Sequence, residues 1–364
     1  MAQNERARIT AERILLVQTS FLGDLVLSTP VISALQEIFP AAKISLLTTV
    51  ESADLVRSDP HVNAVITFDK RRSDAGLKGL FRLAKQLRGE KFDLAVSLHR
   101  SWRTAVLLFL AGIPRRVGFA EASARFLYTQ TCPGRDLEHA VLRNLAIVRN
   151  FGVDPQTLPA DLKLCLPQAA REKAAQVLQT FGNKRIVTIA PGSVWLTKRW
   201  LPEYFAEVAR QLNAADFAVC LVGGPSDREA AQLIETTTGS QVLNLVGKLT
   251  LIESAAVIAK SELLITNDSA PLHIGSAFKV PTAAIFCATV PEFGFGPWQN
   301  RHLNLGVEGL SCRPCGRHGR QYCPTGTHAC RKNLTPEMVV NAVQQLLTSC
   351  QPAFDPSSRR GLQK

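Results

Sequence analysis

Long apolar runs are missing from this sequence. The longest, Ala105–Ile113, holds nine residues between Arg103 and Arg115. A membrane-spanning helix needs ~20, so an integral helical membrane protein is excluded. The opening stretch, MAQNERARITAER, carries no apolar segment before a cleavage site, and export by a signal peptide is not expected. Tyrosine (3) and tryptophan (4) are scarce, and no run interleaves them with basic residues as a nucleobase-stacking surface would. GxGxxG is absent, which removes the dinucleotide fingerprint. No short-period repeat of a solenoid is visible.

What is present is globular. At ~150 residues per domain, 364 residues make two domains. A composition of 46% hydrophobic and 20% charged residues supplies two cores and excludes a mainly disordered chain. The net charge of +12 calls for an anionic partner: nucleic acid, an anionic membrane surface or an acidic small substrate. Nine cysteines in an unexported chain argue against a disulfide framework. Cys220 and Cys287 lie in apolar runs and read as buried small hydrophobes, whereas Cys312, Cys315, Cys323 and Cys330 crowd into 19 residues.

Short apolar runs alternate with longer amphipathic ones. Arg13–Gln18, Lys43–Thr48, Ala64–Phe68 and Asp93–Leu98 are expected as strands, with helices over Val31–Ile38, Leu77–Leu87 and Thr104–Leu110. The pattern restarts after a Pro-rich stretch at Pro155–Pro167. Strands are expected at Ile186–Ala190, Phe217–Val222, Leu263–Thr266 and Thr282–Phe286. Helices are expected at Ala169–Thr180, Pro202–Leu212, Leu251–Lys260, Pro271–Ala277 and Pro336–Leu347. Two successive βαβ series imply an α/β protein of two Rossmann-like domains, with parallel sheets facing across a cleft. The expected division is 1–170 and 171–350, with a hinge near 160–185. The last helix is free to pack back on the first domain, and a loose tail covers 351–364.

Four loops follow strand ends, where open α/β sheets bind ligands. The first is Thr19-Ser20-Phe21-Leu22-Gly23-Asp24: Gly23 permits close approach of backbone to substrate, and Asp24 stands near a helix start as a cap or a functional carboxylate. In the second, Pro191-Gly192-Ser193 leads to Thr197-Lys198-Arg199, a Gly/Ser loop with compact positive charge that suits a diphosphate or is a solvated surface loop. The third is Gly223-Gly224-Pro225-Ser226-Asp227, a ligand-accommodating turn or a plain strand-to-helix connection. The fourth is Asn267-Asp268-Ser269-Ala270-Pro271-Leu272-His273, where a helix N-terminus points at the cleft. Asp268 has the wrong sign for phosphate and suits sugar hydroxyls or neighbouring N–H groups.

In this order and spacing, the four motifs resemble the lipopolysaccharide heptosyltransferases of glycosyltransferase family 9, from about Ile14 to about Leu347, with details nearest the heptosyltransferase II branch. FLGDLVLSTP, APGS–TKRW and TNDSAPLH carry the likeness. The resemblance implies a GT-B fold and inverting transfer of heptose from ADP-heptose to the lipopolysaccharide inner core. The N-terminal domain would take the lipid-linked Kdo-containing acceptor and the C-terminal domain the ADP-sugar. It implies Asp24 as catalytic base, and Ser193, Lys198, Gly223, Gly224, Leu249, Asn267, Asp268, Ser269 and His273 at the donor. Thr19, Ser20, Gly23 and Arg100 fall to the acceptor. A carboxylate at a helix start stays ionised as a weak base, so Asp24 would act late in the attack. Where the family often has Gly, this chain has Ala270-Pro271, and Pro271 removes one N–H donor.

No cofactor is expected; no DxD carboxylate pair marks a catalytic metal. Cys312-x2-Cys315 has knuckle spacing, so a structural zinc on Cys312, Cys315, Cys323 and Cys330 competes with free thiols or local disulfides. Arg71, Arg72, Lys78, Arg82, Lys85, Arg88, Lys91, Arg100, Arg103, Arg115, Arg116 and Arg125 load the first half with positive charge. Several would be solvated helix faces. In the resembling family this half meets an acidic glycolipid, which implies a cytoplasmic enzyme docked peripherally on the inner membrane. The competing readings are a family-9 transferase of type I or III or with another donor, a non-catalytic sugar-nucleotide binder, and a basic nucleic-acid-binding protein, which the lack of any matching motif disfavours.

Overall fold

The computed structural model describes residues 10–348 except 71 and 73; Arg71, Cys350 and the expected tail lie outside the described residues. Six strands build one parallel sheet: β1 (Arg13–Val17), β2 (Lys43–Thr48), β3 (Val62–Thr67), β4 (Leu94–Ser97), β5 (Arg115–Phe119) and β6 (Gln130–Cys132). Six build a second: β7 (Arg185–Ala190), β8 (Phe217–Leu221), β9 (Leu243–Asn244), β10 (Leu263–Asn267), β11 (Thr282–Ile285) and β12 (His302–Leu305). The orders are β3-β2-β1-β4-β5-β6 and β12-β11-β10-β7-β8-β9. Counted from each sheet's first strand these are one topology, reversing direction between β1 and β4 and again between β7 and β10. Ligand crevices of open α/β sheets form at such switch points. The central strands are nearly all-apolar, as burial on both faces demands: Ile14, Leu15, Leu16 and Val17 of β1, and Leu263, Leu264 and Ile265 of β10, are all inaccessible.

The helices are α1 (Leu22–Val26), α2 (Thr29–Ile38), α3 (Gly76–Gly89), α4 (Trp102–Leu110), α5 (Ala140–Leu145), α6 (Gln168–Leu178), α7 (Pro202–Ala214), α8 (Arg228–Thr237), α9 (Leu251–Ala259), α10 (Ala270–Ala277), α11 (Ala329–Lys332) and α12 (Pro336–Thr348). After β1 the chain starts two helices in succession. Asp24 sits in the first turn of α1, and Pro30 in that of α2. The last helix does not cross to the first sheet. It packs on α7, β11 and β12, because Val339, Val340, Val343, Leu346 and Leu347 close the second sheet's core.

The extended segment 158–167 joins the halves. α6 packs on α9, so the helix that a division at residue 170 would cut sits whole with the second half. One apolar core runs under both sheets, from Ile14 and Leu25 through Ala174 to Ala255 and Ile274, and α1 packs directly against α10.

Candidate active site at the paired switch points

Three of the four sequence loops and the β4 end converge where the two switch points face each other. Asp24 lies in the five-residue α1, and its Oδ2 accepts the Phe21 N–H at 3.2 Å. Burial raises its pKa from 3.8 to about 6, against the opposing pull of that N–H and of the Lys198 and Arg100 charges. The expectation of an ordinary weak base therefore changes. So short a helix offers little dipole, desolvation wins, and the carboxylate is a stronger base than an exposed one.

Lys198 and Asp268 meet as a buried ion pair, Nζ to Oδ2 2.7 Å. Thr289 Oγ1 donates to the same oxygen at 2.6 Å. Lys198, expected at a diphosphate, thus arrives already held by Asp268, the residue whose sign looked wrong for phosphate. Asp268 orients the ammonium. Asn267 departs from its expected place at the donor. It is fully buried, its Oδ1 accepts the Trp200 N–H at 2.9 Å, and its Nδ2 donates to the Pro191 carbonyl at 2.6 Å. With both ends of the amide engaged, it ties the second loop to β10. Ser193 anchors that loop through its carbonyl, which accepts from Arg199 Nε at 2.6 Å. Leu249 is half-buried against the shared core, just before α9.

The glycines make room for the protein's own side chains. A Cβ on Gly23 would stand 2.8 Å from His273 Cδ2, so the space expected for substrate is filled by a residue of the other half. A Cβ on Gly192 would collide with the Asp227 carboxylate, and one on Gly223 would lie 2.8 Å from Asp227 Oδ2. Asp227 fills the cradle expected for ligand and accepts the Gly224 N–H at 3.0 Å; burial raises its pKa. His273 is buried, and desolvation lowers its pKa to about 3. Its Nδ1, and the Oγ of Ser269 at the start of α10, are buried polar atoms without a partner in the protein.

On the first sheet, His99 Nδ1 lies 2.9 Å from Thr19 Oγ1 and 3.0 Å from Thr104 Oγ1. Burial, then the Lys70 charge, pushes His99 down to about 4, so the ring is neutral. Lys70 Nζ donates to the Thr19 carbonyl. The Ser20 N–H donates to Gln18 Oε1 at 3.3 Å. Arg100 lies over the Phe119 ring, 4.3 Å to the centroid, with Glu121 Oε2 3.9 Å from its Nε. Lys70 and His99 escaped the sequence reading, and Asp227 was read only as part of the third loop. Each follows a strand end, the placement that selected the four loops.

The four clustered cysteines are free thiols. Among the described residues no three or more Cys, His, Asp or Glu side chains are placed to hold a metal ion. Cys330 belongs to the second core, and burial raises it to about 11. Cys323 lies in a loop where Thr325 bonds its thiol and lowers it to about 7, and Cys315 Sγ donates to the Cys312 carbonyl.

Comparison with known proteins places this geometry. Residues 80–325 match the family described as glycosyltransferase family 9 (heptosyltransferase). The chain is 32% identical over 298 residues to lipopolysaccharide heptosyltransferase 3 of Escherichia coli, covering 78% of this chain and 86% of that one. It is 29% identical over 336 residues to lipooligosaccharide heptosyltransferase 2 of Campylobacter jejuni, covering 90% and 97%. Among solved structures, a family 9 glycosyl transferase from Veillonella parvula superposes with a TM-score of 0.83 at 24% identity, over 93% of this chain and 98% of that one. The Escherichia coli ADP-heptose lps heptosyltransferase II does so with 0.76 at 23%, over 93% and 99%. These likenesses establish the GT-B fold. Since the family match spans both sheets and the relatives cover most of the chain, the protein belongs to glycosyltransferase family 9.

Proposed function

We propose that this chain is an inverting glycosyltransferase that moves L-glycero-D-manno-heptose from ADP-heptose onto the inner core of lipopolysaccharide, in the manner of heptosyltransferase II. The observation that carries the reading is the meeting of the raised Asp24 carboxylate with the Lys198–Asp268 pair across facing switch points. In this reading the first half holds the acceptor and the second half, α6 included, holds the ADP-sugar. The acceptor hydroxyl attacks the anomeric carbon, its proton passes to Asp24, and the bond to the diphosphate breaks on the opposite face. Lys198 and Ser193 take up the charge on the departing ADP, together with Ser269 and the start of α10. Thr19, Ser20 and Arg100 line the acceptor side. Gly223, Gly224, Leu249 and His273 shape the donor side, and Asn267 positions its loop.

The purified chain, given ADP-heptose and a panel of core acceptors, tests this. Transfer to a Kdo–heptose acceptor supports the second-heptose role. Transfer only to Kdo–lipid A makes it a first-heptose enzyme, and no transfer to any core refutes the proposal.

No helix among the described residues is long and apolar enough to cross a membrane. We infer peripheral docking on the cytoplasmic face instead. Leu77 and Phe81 on α3, Trp102 and Phe109 on α4, and Phe126 are exposed. Lys78, Lys85 and Arg125 are exposed on the same elements. Apolar side chains among basic ones fit an anionic bilayer surface. Binding to anionic vesicles should weaken as salt rises; binding insensitive to salt refutes the electrostatic part.

A further inference from the structure

His99 has no part in the chemistry above, yet three elements of the first half are fastened to it. In the order β2-β1-β4-β5, His99 follows β4 and Thr19 follows β1, so their two loops wall the crevice where the strand order reverses. The imidazole bridges that crevice. Its Nδ1 lies 2.9 Å from Thr19 Oγ1 and 3.0 Å from Thr104 Oγ1 of α4. Each neighbour is itself held. The Thr19 carbonyl accepts from Lys70 Nζ, and the Thr104 N–H donates to the Ser101 carbonyl at 3.1 Å. The His99 carbonyl accepts from Ser97 Oγ at 3.0 Å. Loop, strand end and helix therefore fix the ring.

The same contacts choose its tautomer. Thr19 and Thr104 are buried, and among the described residues neither hydroxyl has another hydrogen-bond partner. Each hydroxyl proton needs an acceptor. An unprotonated Nδ1 offers its lone pair to both, whereas an N–H there would leave both protons without one. The ring proton therefore sits on Nε2. Nε2 has no partner among the described residues and is not one of their buried orphan atoms, so it is open to solvent. Asp24 lies five residues beyond Thr19 on the same loop, and a Cβ on Gly23 would stand 2.8 Å from His273 Cδ2 of the other half. The loop that holds the ring is thus the one that faces the cleft.

We propose that the Nε2–H of His99 is a preset donor to an oxygen of the acceptor saccharide, a hydroxyl or a carboxylate. The donor's diphosphate is served separately by Lys198 on the second half, so His99 acts on acceptor affinity. A ring already locked by its neighbours loses little rotational freedom on binding. This rests on the acceptor assignment of the first half.

The test is titration calorimetry, without donor, of a deacylated Kdo–heptose core saccharide into the full-length wild type, His99→Asn and His99→Gln. Asparagine places an amide oxygen near the Nδ1 position, ready to accept the threonine hydroxyls, and nothing at Nε2. Glutamine places an amide N–H near Nε2 and nothing at Nδ1. His99→Asn should raise the saccharide Kd about tenfold and His99→Gln should stay within about threefold of wild type, with ADP affinity of both within about twofold. A ring that only props Thr19 and Thr104 predicts the opposite order, so an asparagine variant that binds as well as the glutamine one overturns the proposal. A wild type that does not bind the saccharide overturns it too. Reducing the Kdo carboxylate to an alcohol separates the two oxygens: a difference between wild type and His99→Asn that disappears names the carboxylate, and one that persists names a hydroxyl. Heptose transfer by the wild type, scored separately, reports on the enzymatic reading alone.

Discussion

Asp24 is held at odds with its own ionisation. Its folded-state pKa of about 6 lies above the ordinary 3.8, so the charged form is disfavoured by folding. Stability is greatest below pH 3.8 with respect to this group, falls as pH rises to about 6, and is constant above. Asp24→Asn should therefore stabilise the protein at pH 7.5 by about 1–3 kcal/mol, from ~1.4 kcal/mol per pKa unit, while lowering turnover at least ~100-fold. Denaturant midpoints and steady-state rates check both halves; a variant both inactive and destabilised contradicts the burial argument. In the wild type, transfer should rise with pH through about 6 as Asp24 ionises. Lys198 carries the opposite risk. Its removal leaves Asp268 and Thr289 buried without their cation, so Lys198→Ala should cost about 3–5 kcal/mol of stability as well as donor affinity. Asp268→Asn in the same background should recover part of that stability. ADP affinity unchanged in Lys198→Ala would remove it from the donor site.

At the scale of elements, α1 and α10 meet because Gly23 has no side chain. His273 stands where a Cβ would go and, buried in α10, cannot retreat. Gly23→Ala should destabilise by about 1–3 kcal/mol through overpacking and lower turnover by forcing the halves apart. Combined with His273→Ala, its stability cost should largely vanish, a coupling of ~1 kcal/mol or more by double-mutant cycle. Simple additivity would show that the two helices do not bear on each other. This contact marks the limit of what the chain discloses before folding. β1, β7 and β10 are apolar runs with loops of functional residues behind them, so switch-point loops, fold and family were legible. β5 opens with Arg115-Arg116, β9 has two residues, and β12 alternates as an edge strand; none carries an apolar run. Gly23, Gly192 and Gly223 announced room, but only the fold shows that His273 and Asp227 take it. Asn267 looked like a ligand contact because its partners, Trp200 and Pro191, are 67 and 76 residues away.

Across the whole molecule, the halves are joined by buried groups that must stay neutral. His139 on the first half stacks on Trp298 of the second at 4.3 Å, its Nε2 3.1 Å from the Gly296 carbonyl. Trp298 Nε1 in turn donates to the Ala160 carbonyl at 2.7 Å in the connecting segment. Desolvation holds His139 and His99 at about 4 and His273 at about 3, against an ordinary 6.5. Each takes up a proton only when the chain unfolds. Their contribution is intact above about pH 6.5 and is lost as pH falls toward 4. Asp24, shifted upward to about 6, offsets part of it in the same range. With nearly three histidine protons gained and about one carboxyl proton returned, stability should drop by about 2–3 kcal/mol between pH 6 and pH 5. Urea midpoints across that interval measure the slope. Replacing His139 with Gln removes one titrating group of a net of about two and should flatten the slope by about half. A slope unchanged in that variant would mean that the ring at the junction is not held neutral by folding, and that acid opens the protein elsewhere.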